Sequence, residues 1–264
     1  MSSLKTKIYF ASDFHLGVPG HSESLIREKK LVRWLCQIEA DAAEIFLMGD
    51  IFDFWFEYKT VVPKGYVRLL GKLAELTDRG IPIHVFRGNH DIWAFDYLQK
   101  EVGVILYRHP VVRQFGEKTF FLAHGDGLGP GDTGYKLLKK VFENKFNQFL
   151  FNWLHPDIGT KAGLFFSRRS RIANIAREKK NDFKVVIEEE MLYRYCHRKL
   201  KQNGDINYFI FGHRHIPLQT GVGTSAQLIL LGDWVTNFSY AVFDGIETKL
   251  LFFKDEDHDQ NVRD

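Results

Sequence analysis

The feature that most constrains the fold of this chain is a series of five polar clusters, each directly behind a strand-like run of apolar residues. The runs are short and rich in β-branched and aromatic residues, as in KIYFA, IFLM and IHVF. In open α/β sheets, ligand sites form at the carboxyl ends of strands. The sequence therefore predicts that all the clusters lie along one edge of the molecule. In chain order they are Asp13-Phe14-His15, Gly49-Asp50, Gly88-Asn89-His90-Asp91, His124-Gly125-Asp126 and Gly212-His213-Arg214-His215.

The order of segments in the first half of the chain predicts a layered α/β fold. Strand-like Lys7–Ala11, Ile45–Met48 and Ile83–Phe86 alternate with helix-like Ser24–Ala40 and Lys64–Thr77. A β-α-β-α-β order implies a largely parallel sheet that is covered by helices. Further strands are predicted at Val111–Phe115, Thr119–Ala123, Tyr208–Phe211, Gln227–Leu231, Tyr240–Phe243 and Thr248–Phe253.

A long helix-like stretch separates the last two clusters and contains no good strand candidate. We therefore predict a core of residues 1–133 and 203–264, interrupted by a helical insertion of residues 134–202. From Lys136 to Lys201 the chain has 16 Lys and Arg against 7 Asp and Glu, a net charge of +9. Because the whole chain carries +3, the rest carries −6. This asymmetry indicates an anionic partner or substrate.

The residue types in the clusters are those of a metal site: carboxylate, imidazole and one carboxamide, with no thiolate. Such ligands suit Mn, Fe, Zn or Co better than Ca or a cysteine-type zinc site. A single Asp or His behind a strand is more often a turn former or a helix cap, so only the joint occurrence favours metal. The candidate ligands are Asp13, His15, Asp50, Asn89, His124, His213 and His215.

In these motifs the chain resembles the calcineurin-like metallophosphoesterases, whose pattern is Asp-x-His, Gly-Asp, Gly-Asn-His-Asp/Glu, a lone His and Gly-His-x-His. The resemblance implies an α/β fold with four layers, an α/β/β/α sandwich whose metals lie at the strand ends. It also implies a pair of divalent ions, of which Mn²⁺ is expected, with Fe, Zn or Co as alternatives. The implied ligands are Asp13, His15 and His215 for one ion, Asn89, His124 and His213 for the other, and Asp50 for both.

The same resemblance implies hydrolysis at phosphorus, because a pair of metal ions activates water for in-line attack. His90 is expected to contact a phosphoryl oxygen or to protonate the leaving group. Asp91 is expected to support His90. His84 lies inside a strand-like run and is predicted to be a packed core residue. The aromatic residues of the segment FDFWF at 52–56 either line the cleft or belong to the core.

The insertion interleaves apolar and basic residues. One interpretation is a pair of helices that packs on itself and exposes a basic face. The other is a cap with an apolar slot for lipid and basic residues for phosphates or an anionic membrane surface. The apolar residues are Phe146, Phe149, Leu150, Phe151, Trp153 and Leu154, and then Leu164, Phe165, Phe166, Ile172, Ala173 and Ile175.

Over its length the chain resembles a narrower group, the UDP-2,3-diacylglucosamine pyrophosphatases of bacterial lipid A synthesis. The stretch GDTGY at 131–135 matches that group's entry to a basic helical lid, and Arg169–Lys180 matches its lid helix. The resemblance implies cleavage of UDP-2,3-diacylglucosamine to UMP and 2,3-diacylglucosamine 1-phosphate. Because His90 stands where that group carries Arg, a nucleotide or another lipid pyrophosphate stays open as the substrate. The implied substrate contacts are Asn89, His90, Asp132, Tyr135, Asn174, Arg177, Lys179, Lys180 and His213.

The rest of the sequence indicates the cellular location and the kinds of partner to expect. No signal region and no apolar window long enough for a spanning helix occurs. Cys36 and Cys196 form neither a metal motif nor a disulfide framework. We therefore expect a cytoplasmic monomer with peripheral contact to the inner face of the bacterial inner membrane. A nucleic-acid partner is not expected, because bulky apolar residues interrupt the basic stretch and no nucleic-acid motif occurs.

Overall fold

A computed structural model of the chain describes residues 5–129, 133–180, 187–202 and 204–255, with the backbone alone for residues 170–180 and 189. The strands are β1 (Lys7–Ala11), β2 (Ala42–Leu47), β3 (Ile83–Phe86), β4 (Ile105–Tyr107), β5 (Val111–Phe115), β6 (Lys118–Ala123), β7 (Tyr208–Phe211), β8 (Pro217–Val222), β9 (Ala226–Leu231), β10 (Ser239–Phe243) and β11 (Thr248–Phe252). The helices are α1 (His21–Ile38), α2 (Val67–Asp78), α3 (Tyr97–Val102), α4 (Thr133–Glu143), α5 (Lys145–Asn152), α6 (Pro156–Lys180) and α7 (Met191–Gln202), with a 3-10 turn at Ile187–Glu189.

The strands form two sheets. The first has the order β11-β10-β1-β2-β3-β4, and the second has the order β5-β6-β7-β9-β8. In the first sheet β1 to β4 run parallel, as the alternation of strand and helix predicts. Strand β10 is antiparallel to β1, and β11 is antiparallel to β10. In the second sheet β6, β7 and β9 are parallel. The carboxyl ends of the parallel strands therefore lie at the same edge of each sheet.

Strand β1 shows how the layers are joined. Successive side chains point to opposite faces of a strand, so consecutive residues of β1 face different layers. Phe10 lies between the two sheets, with ring centroids 5.1 Å from Phe46 of the first sheet and 6.0 Å from Phe120 of the second. Tyr9 points the other way and meets Trp34 of α1 at 6.4 Å. One core therefore joins the sheets, and another joins the first sheet to α1, α2 and α3.

A third core covers the outer face of the second sheet. Leu192 and Cys196 of α7 are buried there against Phe121, Phe209 and Phe211. Helix α7 is thus the fourth layer, and the predicted α/β/β/α sandwich is confirmed. This helix lies within the stretch predicted as insertion, yet by its packing it belongs to the core layers. The division into 1–133, 134–202 and 203–264 stays a prediction, and the packing argues that the insertion ends before α7.

Helices α4, α5 and α6 follow β6 and precede α7 in the chain, and they pack on an aromatic surface. Phe151 of α5 lies 4.6 Å from Phe56 and 4.9 Å from Trp93, measured between ring centroids. The indole Nε1 of Trp93 donates to the carbonyl of Phe142 in α4 at 2.8 Å. Phe52, Phe54, Trp55 and Phe56 are buried, so they belong to the core.

The segment from α4 to α6 exposes many large apolar side chains. They are Leu137, Leu138, Val141, Phe146, Phe149, Leu150, Trp153, Leu154, Ile158, Phe165 and Phe166. An apolar surface of this extent on a folded domain indicates contact with a ligand, a partner or a membrane. Among the described residues, no helix has both the length and the apolar character that crossing a bilayer requires.

His84 is a packed core residue, as predicted. Its ring stacks on Phe46 with centroids 4.2 Å apart, and its Nε2 lies 2.8 Å from the carboxylate of Glu44.

Candidate metal centre

The loops that follow β1, β2, β3, β6 and β7 bring the predicted ligands together. Three groups of side chains each place their ligand atoms within 4.8 Å of one another: Asp13, His15 and His215; Asp50, His124 and His213; and His15, Asp53 and His90. The first two groups match the two predicted sites. The strand ends therefore converge as the sheet topology requires.

The first group is built around Asp13. Its Oδ1 lies 3.7 Å from Nε2 of His15 and 3.1 Å from Nε2 of His215, and the two imidazole nitrogens are 3.0 Å apart. Its Oδ2 accepts a hydrogen bond from the backbone N–H of His213 at 2.8 Å. Asp13 and His15 are buried. Two imidazole nitrogens and one carboxylate oxygen at a common point form a donor set for a borderline divalent cation.

The second group contains the carboxamide. Asn89 Oδ1 lies 3.3 Å from Nε2 of His124 and 3.0 Å from Nδ1 of His213. Asp50 Oδ2 lies 3.4 Å from the same nitrogen of His124. These oxygen and nitrogen atoms belong to the same ligand class as the first group.

Asp50 lies between the two groups. Its Oδ2 faces His124 of the second group and is 3.9 Å from Nε2 of His15 in the first. Its Oδ1 accepts from the backbone N–H of His90 at 2.9 Å, which fixes the orientation of the carboxylate. Asp50 therefore lies close to imidazole nitrogens of both groups.

Polar contacts on the outer side orient two of the imidazoles. Nδ1 of His124 lies 2.8 Å from the carbonyl oxygen of Met48, which can only accept, so this nitrogen carries the proton. Nδ1 of His15 lies 3.4 Å from Oδ1 of Asp53. In both rings the lone pair then lies on Nε2 and faces the centre, which is the arrangement found in metal-binding histidines.

Three motif glycines allow the close approach of these loops. A Cβ at Gly88 would lie 2.1 Å from Oδ1 of Asp50, and one at Gly49 would lie 2.6 Å from Nδ1 of His124. A Cβ at Gly212 would meet Oδ2 of Asp13 at 2.6 Å. The glycines that precede Asp50, Asn89 and His213 are thus required by space.

Five of the seven candidate ligands are held in a backbone conformation that non-glycine residues rarely adopt. The φ angle is 59° at Asp13, 44° at His15, 52° at Asp50, 67° at His213 and 46° at His215. Each such residue costs on the order of 1–3 kcal/mol, and such strain is concentrated at functional sites. Strain at several neighbouring ligands indicates that the fold is organised around this centre.

The electrostatics of the centre favour a cation. Burial opposes the charged form of His124, but the charge and hydrogen bond of Asp50, together with the charges of Asp13 and Asp126, outweigh it and raise the pKa of this imidazole to about 10. Burial lowers the pKa of His213 to about 4, so that ring is neutral and able to act as a ligand. The negative surroundings that favour a second proton on His124 would equally favour a metal cation in its place, because metal binding releases that proton from Nε2. The residues therefore fit a pair of divalent cations.

The partners of His90 differ from those predicted. Its Nδ1 lies 2.9 Å from the carbonyl oxygen of Asp53 and 3.1 Å from Oγ of Ser167 on α6. The hydroxyl of Ser167 also donates to the carboxylate of Asp53. Asp53 and Ser167, which the motifs do not include, thus occupy the position that was expected for Asp91.

Asp91 has a different role from the one predicted. Its Oδ1 accepts from the backbone N–H of Gly88 at 2.6 Å, and its Oδ2 accepts from that of Ile51 at 2.8 Å. Both oxygens are used by the backbone, so the carboxylate joins the loop after β2 to the loop after β3. Asp91 therefore fixes the turn that carries Asn89.

Tyr135 is the predicted insertion residue that the structure brings close to the centre. Its hydroxyl donates to Asp126 at 2.5 Å, and its ring centroid lies 6.5 Å from that of His213. Lys139 contacts the same carboxylate of Asp126 at 2.7 Å. Asp126 was noted in its cluster but not predicted as a site residue. Outside the described positions or side chains lie Asp132, Asn174, Arg177, Lys179 and Lys180.

Comparison with protein families identifies this arrangement. The sequence model of the calcineurin-like phosphoesterases matches residues 6–217, a span that contains every candidate ligand from Asp13 to His215. The chain belongs to the calcineurin-like phosphoesterase family. It is therefore a metal-dependent phosphoesterase, in agreement with the two groups of metal-binding side chains.

Relatives of this phosphoesterase cover most of its length. The UDP-2,3-diacylglucosamine hydrolase of Porphyromonas gingivalis is 39% identical over 261 residues, which are 96% of this chain and 99% of that protein. The enzyme of the same name from Pseudomonas fluorescens is 30% identical over 79% of this chain and 86% of its own. Among solved structures, a dimetal phosphatase from Danio rerio is 12% identical, with a TM-score of 0.45 and coverage of 96% of this chain and 100% of that chain.

Proposed function

We propose that this phosphoesterase hydrolyses the pyrophosphate bond of UDP-2,3-diacylglucosamine, giving UMP and 2,3-diacylglucosamine 1-phosphate in lipid A biosynthesis. The observation that carries the proposal is an exposed apolar surface on α4 to α6 beside a phosphoester-cleaving centre. Phe165 and Phe166 are exposed on α6, and Ser167 of the same helix touches the centre. A water-soluble nucleotide would not need such a surface. The two relatives named UDP-2,3-diacylglucosamine hydrolase support the same substrate.

We propose that two divalent cations, with Mn²⁺ preferred and Fe, Zn or Co as alternatives, occupy the centre. The proposed ligands are Asp13, His15 and His215 for one, Asn89, His124 and His213 for the other, and Asp50 for both. Such ions lower the pKa of water and neutralise charge on phosphoryl oxygens. Their identity is tested by measuring the metal content of purified protein together with the activity that each metal restores after chelation.

The protein side chains would orient the substrate around the ions. His90 carries its proton on Nδ1, because the Asp53 carbonyl oxygen beside it can only accept. When the ring is charged, its Nε2 also carries a proton, which it can donate in a hydrogen bond to a phosphoryl oxygen or transfer to the leaving phosphate. Asn89 and His213 would contact the same phosphate. Asp91 would act indirectly, by keeping the Asn89 turn in place.

The insertion would bind the rest of the substrate. We propose that Tyr135, whose hydroxyl bonds to Asp126 near His213, contacts the glucosamine phosphate. The basic segment at the end of α6 would bind phosphate groups, since its backbone continues the helix that carries Ser167. Further proposed substrate contacts are Asp132, Asn174, Arg177, Lys179 and Lys180.

We also propose that the protein acts as a monomer that touches the anionic inner face of the bacterial inner membrane. The stretch from Lys136 to Lys201 carries a net charge of +9, and Trp153 at its surface is 76% exposed. Basic and apolar groups together favour binding to an anionic interface. Sedimentation with phosphatidylglycerol vesicles should capture the protein, and added salt should release part of it. Equal recovery with phosphatidylcholine vesicles would contradict an electrostatic contribution.

The substrate assignment is tested by a pair of surface variants. Replacing Phe165 and Phe166 with Ser should lower kcat/KM for UDP-2,3-diacylglucosamine by about tenfold or more, because burying each Phe against an acyl chain contributes roughly 1.5–3 kcal/mol. The small substrate bis(4-nitrophenyl) phosphate should be cleaved at an unchanged rate. Ile246→Ser is the control, since Ile246 is 78% exposed in the turn before β11.

Two results would count against the lipid substrate. Equal losses on both substrates would mean that the phenylalanines support the fold or the centre. Wild-type enzyme that cleaves a cyclic nucleotide but releases no UMP from UDP-2,3-diacylglucosamine would point to a nucleotide phosphodiesterase instead.

A further inference from the structure

Helix α6 meets the loop after β2 along one of its faces. A Cβ at Gly159 would lie 2.1 Å from the hydroxyl of Tyr58, and a Cβ at Gly163 would lie 2.2 Å from the ring of Phe54. Residues four apart lie on the same face of a helix. The absence of side chains at both positions therefore lets the helix approach the loop closely, and the contact fixes its register along the loop.

Four residues farther along the same face stands Ser167. Its side chain is buried, and its hydroxyl donates to Oδ2 of Asp53. Its Oγ also lies 3.1 Å from Nδ1 of His90, the nitrogen that is 2.9 Å from the carbonyl oxygen of Asp53. The register set by the glycines thus delivers one polar side chain of the insertion to the imidazole beside the metal ligands.

We propose that Ser167 is a positioning residue, through which helix α6 holds the His90 ring in its productive orientation. The proposal rests on the role of His90 in the proposed hydrolysis. With the carbonyl oxygen of Asp53 as its one hydrogen-bond partner and the His15 ring packed edge-on at 4.8 Å, the imidazole could still tilt about that hydrogen bond. A second contact from Ser167 Oγ, itself fixed by the Asp53 carboxylate, defines the plane of the ring. The insertion is then part of the catalytic arrangement as well as a cover for the substrate.

The arrangement also gives α6 a measurable link to the rate of the chemical step. Losing one neutral hydrogen bond costs about 0.5–1.5 kcal/mol, which corresponds to roughly a 2- to 13-fold lower rate. Misplacement of the imidazole would add to this loss. In the described interactions Ser167 reaches the nearest metal ligand, His15, only through the carboxylate of Asp53, so metal content should change little.

The test uses the full-length metal-loaded enzyme with Ser167→Ala, Ser167→Thr and the control Ser22→Ala. Ser22 is an exposed serine of α1 whose hydroxyl contacts only the neighbouring Glu23 among the described contacts. Ser167→Ala should lower kcat by about 3- to 20-fold with KM changed less than twofold. Ser167→Thr keeps the hydroxyl and should recover most of kcat. Ser22→Ala should match the wild type.

A double-mutant cycle with His90→Ala separates positioning from packing. If Ser167 acts through His90, Ser167→Ala should change kcat less than twofold once the imidazole is absent. An equal loss in both backgrounds, a loss confined to KM, or a wild-type kcat for Ser167→Ala would overturn the proposal. The cycle is measured on bis(4-nitrophenyl) phosphate as well as on UDP-2,3-diacylglucosamine. Failure of the lipid assignment, seen as no UMP release by the wild type, is therefore distinguishable from failure of the Ser167 role.

Discussion

Gly88→Ala gives a direct test of how tightly the centre is built. Gly88 is not one of the glycines with a positive φ, so alanine can adopt its backbone conformation. The added methyl group would, however, lie 2.1 Å from Oδ1 of Asp50 and 2.6 Å from the Asp50 backbone nitrogen. Both atoms belong to the residue that faces the two ligand groups. The substitution therefore changes the position of a metal ligand without changing any ligand's chemistry.

The size of the effect follows from these distances. An ordinary contact of a Cβ atom is 3.4 Å or longer, so Oδ1 must move by about 1.3 Å to clear the methyl group. A displacement of about 1 Å at a catalytic group can lower the rate by about 100-fold. Overpacking of a tight interior also costs about 1–3 kcal/mol of unfolding free energy. We therefore expect kcat/KM to fall by about 100-fold or more. The free energy of unfolding should fall by about 1–3 kcal/mol.

The assay combines turnover of UDP-2,3-diacylglucosamine, metal content and urea-induced unfolding. Gly71→Ala is the matched control, because no atom lies within 4 Å of a Cβ at this position in α2. Alanine in a helix interior should raise the unfolding free energy by about 0.5–1 kcal/mol and leave turnover unchanged. Full activity of a folded Gly88→Ala variant would refute the inference that Gly88 makes room for Asp50.

Three further predictions concern Asp50, Glu28 and Glu44. Asp50→Asn should abolish turnover and reduce the metal content, because an amide loses the charge that serves both ligand groups; wild-type rates in the folded variant would exclude that role. Glu28 Oε1 accepts from the backbone N–H groups of Arg68 and Leu69, at 2.8 and 3.1 Å, at the start of α2. Glu28→Ala should therefore lower the unfolding free energy by about 1–2 kcal/mol. Glu28→Gln, which keeps an acceptor, should lower it less, and equal losses for the two variants would contradict the capping role. The hydrogen bond from His84 and the charge of Arg113 lower the pKa of Glu44 below its usual 4.5 despite partial burial. A carboxyl group whose pKa is lower in the folded state stabilises the fold above its unfolded-state pKa, and this stabilisation is lost as the pH falls. Glu44→Gln should therefore lower the free energy of unfolding in urea at pH 7 and change it little at about pH 3. A deficit that is independent of pH would contradict this.

The convergence of the metal ligands was predictable from the sequence because strand and turn signals are local. The runs behind which Asp13, Asp50 and Asn89 stand are short, apolar and sharply bounded, and parallel strands align their carboxyl ends. The strands β4 and β8 and the helix α3 were not predicted. β4 has only three residues, and β8 contains Pro217 and Gly221, which weaken a strand pattern.

The partners of His90 were beyond reach of the sequence. Asp53 lies among aromatic residues that dominate the local pattern, and Ser167 is 114 positions away from it in the chain. A single serine in a basic helix carries no signal of its own. Its contact depends on the helix register that Gly163 fixes against Phe54, which is a tertiary property. In the same way, the sequence of α7 looks like part of a continuous helical stretch, and the burial of Leu192 and Cys196 shows which layer it joins.

The central claim is that this fold gathers two adjacent metal sites at the strand ends. The most direct measurement is anomalous diffraction from crystals of the full chain soaked in MnCl₂, recorded above and below the manganese edge. We expect two peaks, one against Asp13, His15 and His215 and one against Asn89, His124 and His213, with Asp50 touching both. No peak at saturating manganese, or a single peak away from these side chains, would contradict the claim.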